Sequence, residues 1–313
     1  MIKKNIPLKD KIWFNVGGPA EYFCEPTTTS EFAEAVNFAQ TNNLPISLIG
    51  LGANMLVSDE GVEGLVIRSQ LKNITHQINV EEVLVTAESG VTIEELINYC
   101  LNHNIIGLEE FSGIPGTIGG SVFINVHYFQ FNLQQFVEKG SVIEKDSGNI
   151  LEVDREWFNF GYDHSKLHEK NHYLLNATFK FKKATDLETA YAKGRNVEII
   201  RHRLARYPYK GTCGCFFRNF HEDEVSLIIN GKKMIYTAYY LDKIGIKGEL
   251  AVGDARVSHQ HANMIVNVGN ATAQDIIDLA KKMQELVQKN YGILPQAECQ
   301  FLGFKKYPLL LER

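Results

Sequence analysis

The sequence predicts an α+β protein of two domains, with the division near residue 184. Three observations carry this. The chain has 313 residues, and domains average roughly 100–200 residues, so one small module is too short an account. Strand-like and helix-like segments alternate in both parts. A long polar helix reads over Thr185–Arg206, with Lys182–Asp186 as the linker before it. The domains are therefore placed at 1–184 and 185–313.

The elements follow in order. Phe32, Ala35, Val36 and Ala39 share one face of a helix over Glu31–Thr41, with Thr29 or Ser30 as its cap. Pro45–Ile49, Leu65–Ile67 and Val83–Ala87 read as strands. Thr92–His103 is a second amphipathic helix, with Ile93, Leu96, Ile97 and Cys100 on its apolar side. Gly140–Ile143 and Asn149–Val153 form a hairpin, and Asp154 opens a short helical turn to Phe158. His172–Phe181 alternates as a strand. In the last third, Lys233–Lys243 reads as a helix, Met264–Val268 as a strand, Ala273–Asn290 as a helix and Cys299–Leu302 as a strand.

Composition excludes several classes. Hydrophobic residues make up 44% and charged residues 22%, which rules out a mainly disordered chain. No apolar run reaches the ~20 residues of a membrane span. A net charge of −5 supplies no basic field for wrapping nucleic acid, so none is expected as a partner. Met1–Asn5 carries charge with no apolar stretch behind it, so no secretory leader is expected and cytoplasm is the default. Five cysteines make no disulfide framework. Cys24, Cys100 and Cys299 read as buried small hydrophobes. Cys213 and Cys215 lack the second half of a zinc site, and His259 with His261 lack a third ligand, so no metal is expected.

Two glycine-rich loops stand out. Gly50-Leu51-Gly52-Ala53-Asn54-Met55-Leu56 follows a strand, but Met55 stands where a dinucleotide fingerprint needs its third glycine. Ser112 to Ser121 holds four glycines (Gly113, Gly116, Gly119, Gly120) with Thr117 among them. Such density is costly in folding entropy and signals close backbone approach, so the loops read as two walls of a cofactor phosphate site. Gly211 to Asn219 combines Cys213 and Cys215 with Arg218 and Asn219. A thiol is a usable proton donor near neutrality. Glu298 precedes an apolar strand, exposed at its end or placed in a cleft.

In order along nearly the whole chain, these segments resemble the flavin-dependent UDP-N-acetylenolpyruvoylglucosamine reductases (UDP-N-acetylmuramate dehydrogenases) of bacterial cell-wall synthesis. Phe14 to Ala20 is similar to the family's entry motif. Gly50–Leu56 with Asp59–Ile67, and Gly107–Gly120, resemble its two flavin-phosphate loops. Phe160-Gly161-Tyr162 with Ser165, Cys213–Asn219, Leu241–Gly248, His261-Ala262 with Val266-Asn267, and Gly292–Glu298 follow in family order.

The resemblance implies an N-terminal FAD-binding domain of the vanillyl-alcohol-oxidase type, in two α+β lobes over 1–184. It implies a C-terminal α/β substrate domain over 185–313, in the shorter subclass. NADPH would reduce FAD, and reduced FAD would pass the hydride to the enolpyruvyl ether of a UDP-sugar. The enolate so formed needs a donor at its oxygen and an acid at the neighbouring carbon. By position, Cys215 takes the place of the family's proton-donating serine and Glu298 that of its catalytic carboxylate. Gly50, Gly52, Ala53, Asn54 and Met55 would hold the cofactor, with Gly113, Gly116, Thr117, Gly119, Gly120 and Ser121. Asn125, Arg206, Arg218 and Asn219 would meet substrate.

Two departures bear on the chemistry. Asp163 stands where the family has an arginine that supports the developing oxyanion, and a carboxylate there works in the wrong direction. The family's Asn-Ala-Gly-Ala-Tyr-Gly becomes Asn125-Val126-His127-Tyr128-Phe129-Gln130, which removes the glycines of a tight turn. His127 or His164 is the expected replacement cation. The alternatives are a flavin oxidoreductase for another substrate, or a flavin-binding protein without turnover.

Overall fold

The computed structural model describes residues 2–79 and 82–311. They are α+β and divide into two compact units. The first comprises Met1–Lys4, Tyr22–Leu51 and Gly64–Arg203; the second comprises Asn5–Glu21, Gly52–Glu63 and Leu204–Arg313. The change of unit falls near the end of the long polar helix.

In the first unit, helix α1 spans Thr29–Thr41 and buries Phe32, Ala35, Val36 and Ala39 as the periodicity predicts. Its cap is Thr28, not Thr29 or Ser30. Thr28 is extended and its hydroxyl accepts the Glu31 N–H at 3.2 Å. The strand Ile46–Ile49 runs parallel to Val62–Arg68, with Ile46 opposite Leu65. Leu65 and Ile67 pack with α1.

The larger sheet has six strands. Its order is Ile150–Asp154, Val137–Glu144, His172–Lys183, Glu82–Glu88 and Ile74–Ile78, and Ile105–Ile106 also pairs with His172–Lys183. All these pairings are antiparallel. Helix α2, Ile93–Asn102, starts at a Thr92–Glu95 capping box and joins the apolar cluster that contains Val83, Val85 and Phe179. Helix α3, Ile118–Phe123, grows out of the second glycine loop, where the sequence suggested only loop. Helix α4 is the predicted polar helix, Asp186–Arg206.

In the second unit, the expected helix over Lys233–Lys243 is shorter. Lys232–Lys233 pairs with Ile228–Ile229 in a hairpin, and helix α5 runs only from Thr237 to Ile244. The reason is the Asn230-Gly231 turn, with φ of +50° and +75°, a strong hairpin signal. Helix α6, Ala273–Tyr291, buries Ile276, Ile277, Ala280, Met283 and Val287. Its first two N–H groups, on Ala273 and Gln274, bond the Asp59 carboxylate at 2.9 and 3.1 Å. Met55–Val57 pairs in parallel with Gln300–Leu302, and Ala251–Val252, Ala255–Val257 and Ile265–Asn267 form a small antiparallel sheet.

Candidate active site

Close approach explains Gly50 and Gly119 in the first unit. The second loop is pinned to residues 91–93 by Ile93 N–H to Gly116 O at 3.0 Å and Ile118 N–H to Val91 O at 2.7 Å. Thr117 caps α3 and its hydroxyl accepts the Gly120 N–H at 3.3 Å. Gly119 N–H bonds Ser89 O, and a Cβ on Gly119 would lie 3.1 Å from that same oxygen. Gly50 lies so close to Thr117 that a Cβ there would collide with the threonine hydroxyl. The two loops expected to form facing walls therefore do meet, at Gly50 and Thr117. Ser121 is buried beneath Gly116. Among the described residues, nothing accepts the N–H groups of Leu51, Gly52 or Ala53. Donors of this kind in a glycine loop suit an anion such as a cofactor pyrophosphate.

Asn125 follows α3 and is buried. Its amide donates to Gly161 O at 2.8 Å and accepts from Gln134 N–H at 3.0 Å. It thus ties together two loops that carry the sequence departures. His127-Tyr128 pairs with Phe131-Asn132 across a two-residue turn, so a tight turn survives without its glycine. Phe129 takes φ +52° there, and Asn125 and Asp163 take +48° and +49°. This conformation costs an ordinary side chain about 1–2 kcal/mol. Asp163 Oδ1 lies 3.2 Å from His127 Nδ1. Asp163 Oδ2 is buried and takes no hydrogen bond among the described residues. The His127 ring also leans on Tyr162, with centroids 5.0 Å apart. His164 stacks on His168 instead, and burial pushes the His168 pKa down.

The second unit gathers the other candidates. Residues 211–218 form a ribbon that bends at Gly211 and Gly214, where φ is +69° and +80°, before Phe217 bridges Ala297. Gly211 O accepts the Asn267 N–H at 2.7 Å, and the 215–218 end lies beside 296–299. There Phe217 bridges Ala297, Arg218 N–H bonds Gln296 O at 2.9 Å and Glu298 N–H bonds Phe216 O at 3.0 Å. The backbone of 216–218 is therefore paired with that of 296–299, with Cys215 next to it in the chain. Asn54 joins them, with its amide 3.5 Å from Glu298 O. Cys213 is fully buried next to Cys299, and burial raises its thiol pKa well above the ordinary value. Cys215 is half-buried, the one cysteine of five that is not sealed. Asn219 offers its carbonyl to Arg218, and Arg206 is an exposed residue at the end of α4.

Two residues escaped the sequence reading. Glu224 holds the Arg218 guanidinium in a fork of 2.8 and 2.6 Å, and those bonds keep its carboxyl below the usual range. Asn263 is buried and bonds the Phe217 peptide through both ends of its amide. No periodicity marks either one. Nearby, His261 leans on Tyr207, and its Nδ1 is buried without a partner among the described residues. Burial, with the charges of Arg206 and Lys247, pushes its pKa down to about 4. No group of three or more metal-ligating side chains occurs among the described residues.

Known proteins match both halves. Residues 206–302 match the family described as UDP-N-acetylenolpyruvoylglucosamine reductase, C-terminal domain, and residues 20–154 match the FAD binding domain family. The chain is 30% identical to the UDP-N-acetylenolpyruvoylglucosamine reductase of Clostridium novyi (strain NT), over 96% of this chain and 92% of that one. It is 32% identical to the reductase of the same name in Lactobacillus acidophilus, over 96% and 95%. The crystal structure of UDP-N-acetylenolpyruvylglucosamine reductase from Thermus caldophilus superposes with a TM-score of 0.76 at 26% identity, covering 96% of this chain and 100% of that chain.

Proposed function

The chain belongs to the UDP-N-acetylenolpyruvoylglucosamine reductase family, and we propose that it converts UDP-N-acetylglucosamine enolpyruvate to UDP-N-acetylmuramate for peptidoglycan synthesis. FAD is the cofactor and NADPH the reductant. The observation that carries the reading is the backbone pairing of 216–218 with 296–298, which brings the segment that follows Cys215 against the segment that holds Glu298.

The residues present fit FAD. The Gly50–Thr117 approach leaves no room for a side chain, and the first loop offers unpartnered N–H groups. In the first unit, Gly50 with Gly113, Gly116, Thr117, Gly119, Gly120 and Ser121 would hold its phosphates. When bound, FAD accepts a hydride from NADPH and transfers it to the enolpyruvyl group. The chain's own residues then manage charge and protons. Cys215 donates a proton to the carbon next to the carboxylate. Glu298 organises the enol form. Arg218, oriented by Glu224, and Asn219 and Arg206 bind the polar parts of the UDP-sugar. Asn125 fixes the loops that carry His127 and Asp163.

Asp163 need not oppose the reaction. The His127 ring faces Asp163 through Nδ1 at 3.2 Å, which leaves Nε2 for developing negative charge. We assign the cofactor role to residues 1–184 and the substrate role to 185–313. The reaction is placed in the cytoplasm, where it feeds cell-wall growth and so cell shape and division. No helix among the described residues is long and apolar enough to cross a membrane.

The His127–Asp163 pair also favours a second reading, a flavin reductase for another acceptor. Purified yellow protein mixed with NADPH and the enolpyruvyl UDP-sugar tests the choice. Sugar-dependent NADPH consumption with UDP-N-acetylmuramate as product supports the first reading. Flavin that NADPH bleaches but the sugar does not reoxidise supports the second. Flavin that NADPH leaves yellow refutes both.

A further inference from the structure

Phe217 has no exposed surface, and its peptide groups lie on the flank of the ribbon away from residues 296–299. A buried N–H and C=O on that flank need partners, since each left unmade carries a desolvation penalty. Along the ribbon, backbone supplies partners at Gly211, from Asn267, and at Phe216, whose N–H bonds Asn263 O at 2.8 Å. At Phe217 no backbone partner follows among the described residues. The Asn263 side chain fills the place. Its Oδ1 accepts the Phe217 N–H at 3.1 Å and its Nδ2 donates to Phe217 O at 2.7 Å. A side-chain amide offers an acceptor and a donor at this spacing without carrying charge.

Asn263 is itself held. Met264 N–H bonds His261 O at 3.1 Å, and Ser258 N–H bonds Met264 O at 2.7 Å, so the turn before the strand Ile265–Asn267 is closed on both sides. Beyond the clamp, the Thr237 hydroxyl donates to Arg218 O. Residues 216–218 are thus gripped from both flanks, by Gln296–Cys299 on one and by Asn263 on the other, and Cys215 is the next residue along the chain.

We propose that Asn263 is a positioning residue for the proton-donating side of the reaction: its amide fixes the Phe217 peptide and thereby the placement of the Cys215 thiol relative to Glu298. It touches no substrate in this role. The proposal rests on the function proposed above, through the roles of Cys215 and Glu298. A displacement of about 1 Å at a reacting group costs on the order of 100-fold in rate.

The test is Asn263→Asp. Its carboxylate can still accept from Phe217 N–H, but it faces Phe217 O with a second acceptor. Its protonated form restores the donor. Burial raises the midpoint of the introduced carboxyl above the ordinary range of about 4. At pH 8, reoxidation of reduced flavin by the enolpyruvyl UDP-sugar should fall about 100-fold, with flavin reduction by NADPH within about threefold of the unaltered protein. Alkylation of Cys215 relative to the unaltered protein should shift about tenfold. Both differences should shrink as pH falls towards 5.5. The unaltered protein, with the same Cys215, Glu298, Arg218 and His261 around the ribbon, is the control at every pH. Two half-reactions that stay at the unaltered rate, or that fall together at all pH values, would overturn the proposal.

Hydrogen exchange on the unaltered protein decides the clamp even if the variant does not fold. The Phe217 amide should be among the slowest to exchange, and exchange as fast as in exposed loops would refute it. If the unaltered protein is not reoxidised by the sugar, the proposed function fails. The alkylation and exchange results then still judge the clamp.

Discussion

The 211–218 ribbon and the His127–Asp163 loops both carry candidate chemistry, but they are built in opposite ways. Along the ribbon, buried peptide groups find partners, and the turns that need positive φ use glycine, Gly211 at +69° and Gly214 at +80°. In the loops, positive φ falls on Asn125, Phe129 and Asp163, and one buried carboxylate oxygen has no donor among the described residues. The ribbon carries Cys215 in place of the family's serine; the loops carry Asp163 in place of its arginine and lack its glycines. The contrast teaches that the proton-donating side is held through its backbone, which is bonded on two flanks. The other side has been rebuilt at the expense of local strain, which is where function is expected to be tuned.

The largest effect should come from the ribbon. Cys215→Ala should slow reoxidation by the enolpyruvyl UDP-sugar about 1000-fold, within the range for losing a general acid, and spare flavin reduction. Single-turnover traces check both. In the loops, His127→Ala should slow reoxidation about 100-fold, the scale for removing one donor to an oxyanion. A silent His127→Ala together with faster turnover in Asp163→Arg would break the assignment of His127 as the replacement cation.

Next comes pH. The His261 pKa is depressed to about 4 in the fold against an ordinary value of 6.5. The unfolded chain therefore takes up its proton first, so stability present above about pH 6.5 is lost as pH falls towards 4. After discounting for solvent screening at this half-buried ring, the loss is on the order of 2 kcal/mol. His168, in the other unit, acts in the same direction. Urea titrations at pH 7 and pH 5 should show a smaller loss in His261→Gln than in the unaltered protein. An equal loss would remove His261 from the account.

The smallest pair opposes the two regions directly. Phe129 is exposed, so Phe129→Gly relieves its φ with little packing lost and should stabilise by about 0.5–1 kcal/mol, after the entropy cost of glycine. Gly214→Ala meets no atom within 4 Å but must hold φ +80°, and should destabilise by about 1 kcal/mol. Urea midpoints at constant slope measure both.

Much of the fold is legible in the sequence because helix faces such as Phe32–Ala39 and Ile276–Val287 follow a simple period. The glycine loops announce their close approach by density alone. Cys215 and Glu298 are legible only through family order, since 83 residues of chain separate them and pairing is a long-range fact. Asn263 and Glu224 left no signal because their importance lies in what they bond, not in spacing or composition. The helix expected over Lys233–Lys243 shows the reverse case: a local turn signal, Asn230-Gly231, stands in the sequence just before it and shortens it.

The most direct test is an anaerobic stopped-flow trace. The flavin of the holoprotein is first reduced with NADPH and then mixed with the enolpyruvyl UDP-sugar. The account predicts rapid return of the oxidised flavin band in the unaltered protein and its loss in Cys215→Ala, with the reduction phase alike in both. A flavin that NADPH reduces but the sugar leaves reduced, in the unaltered protein, would contradict it.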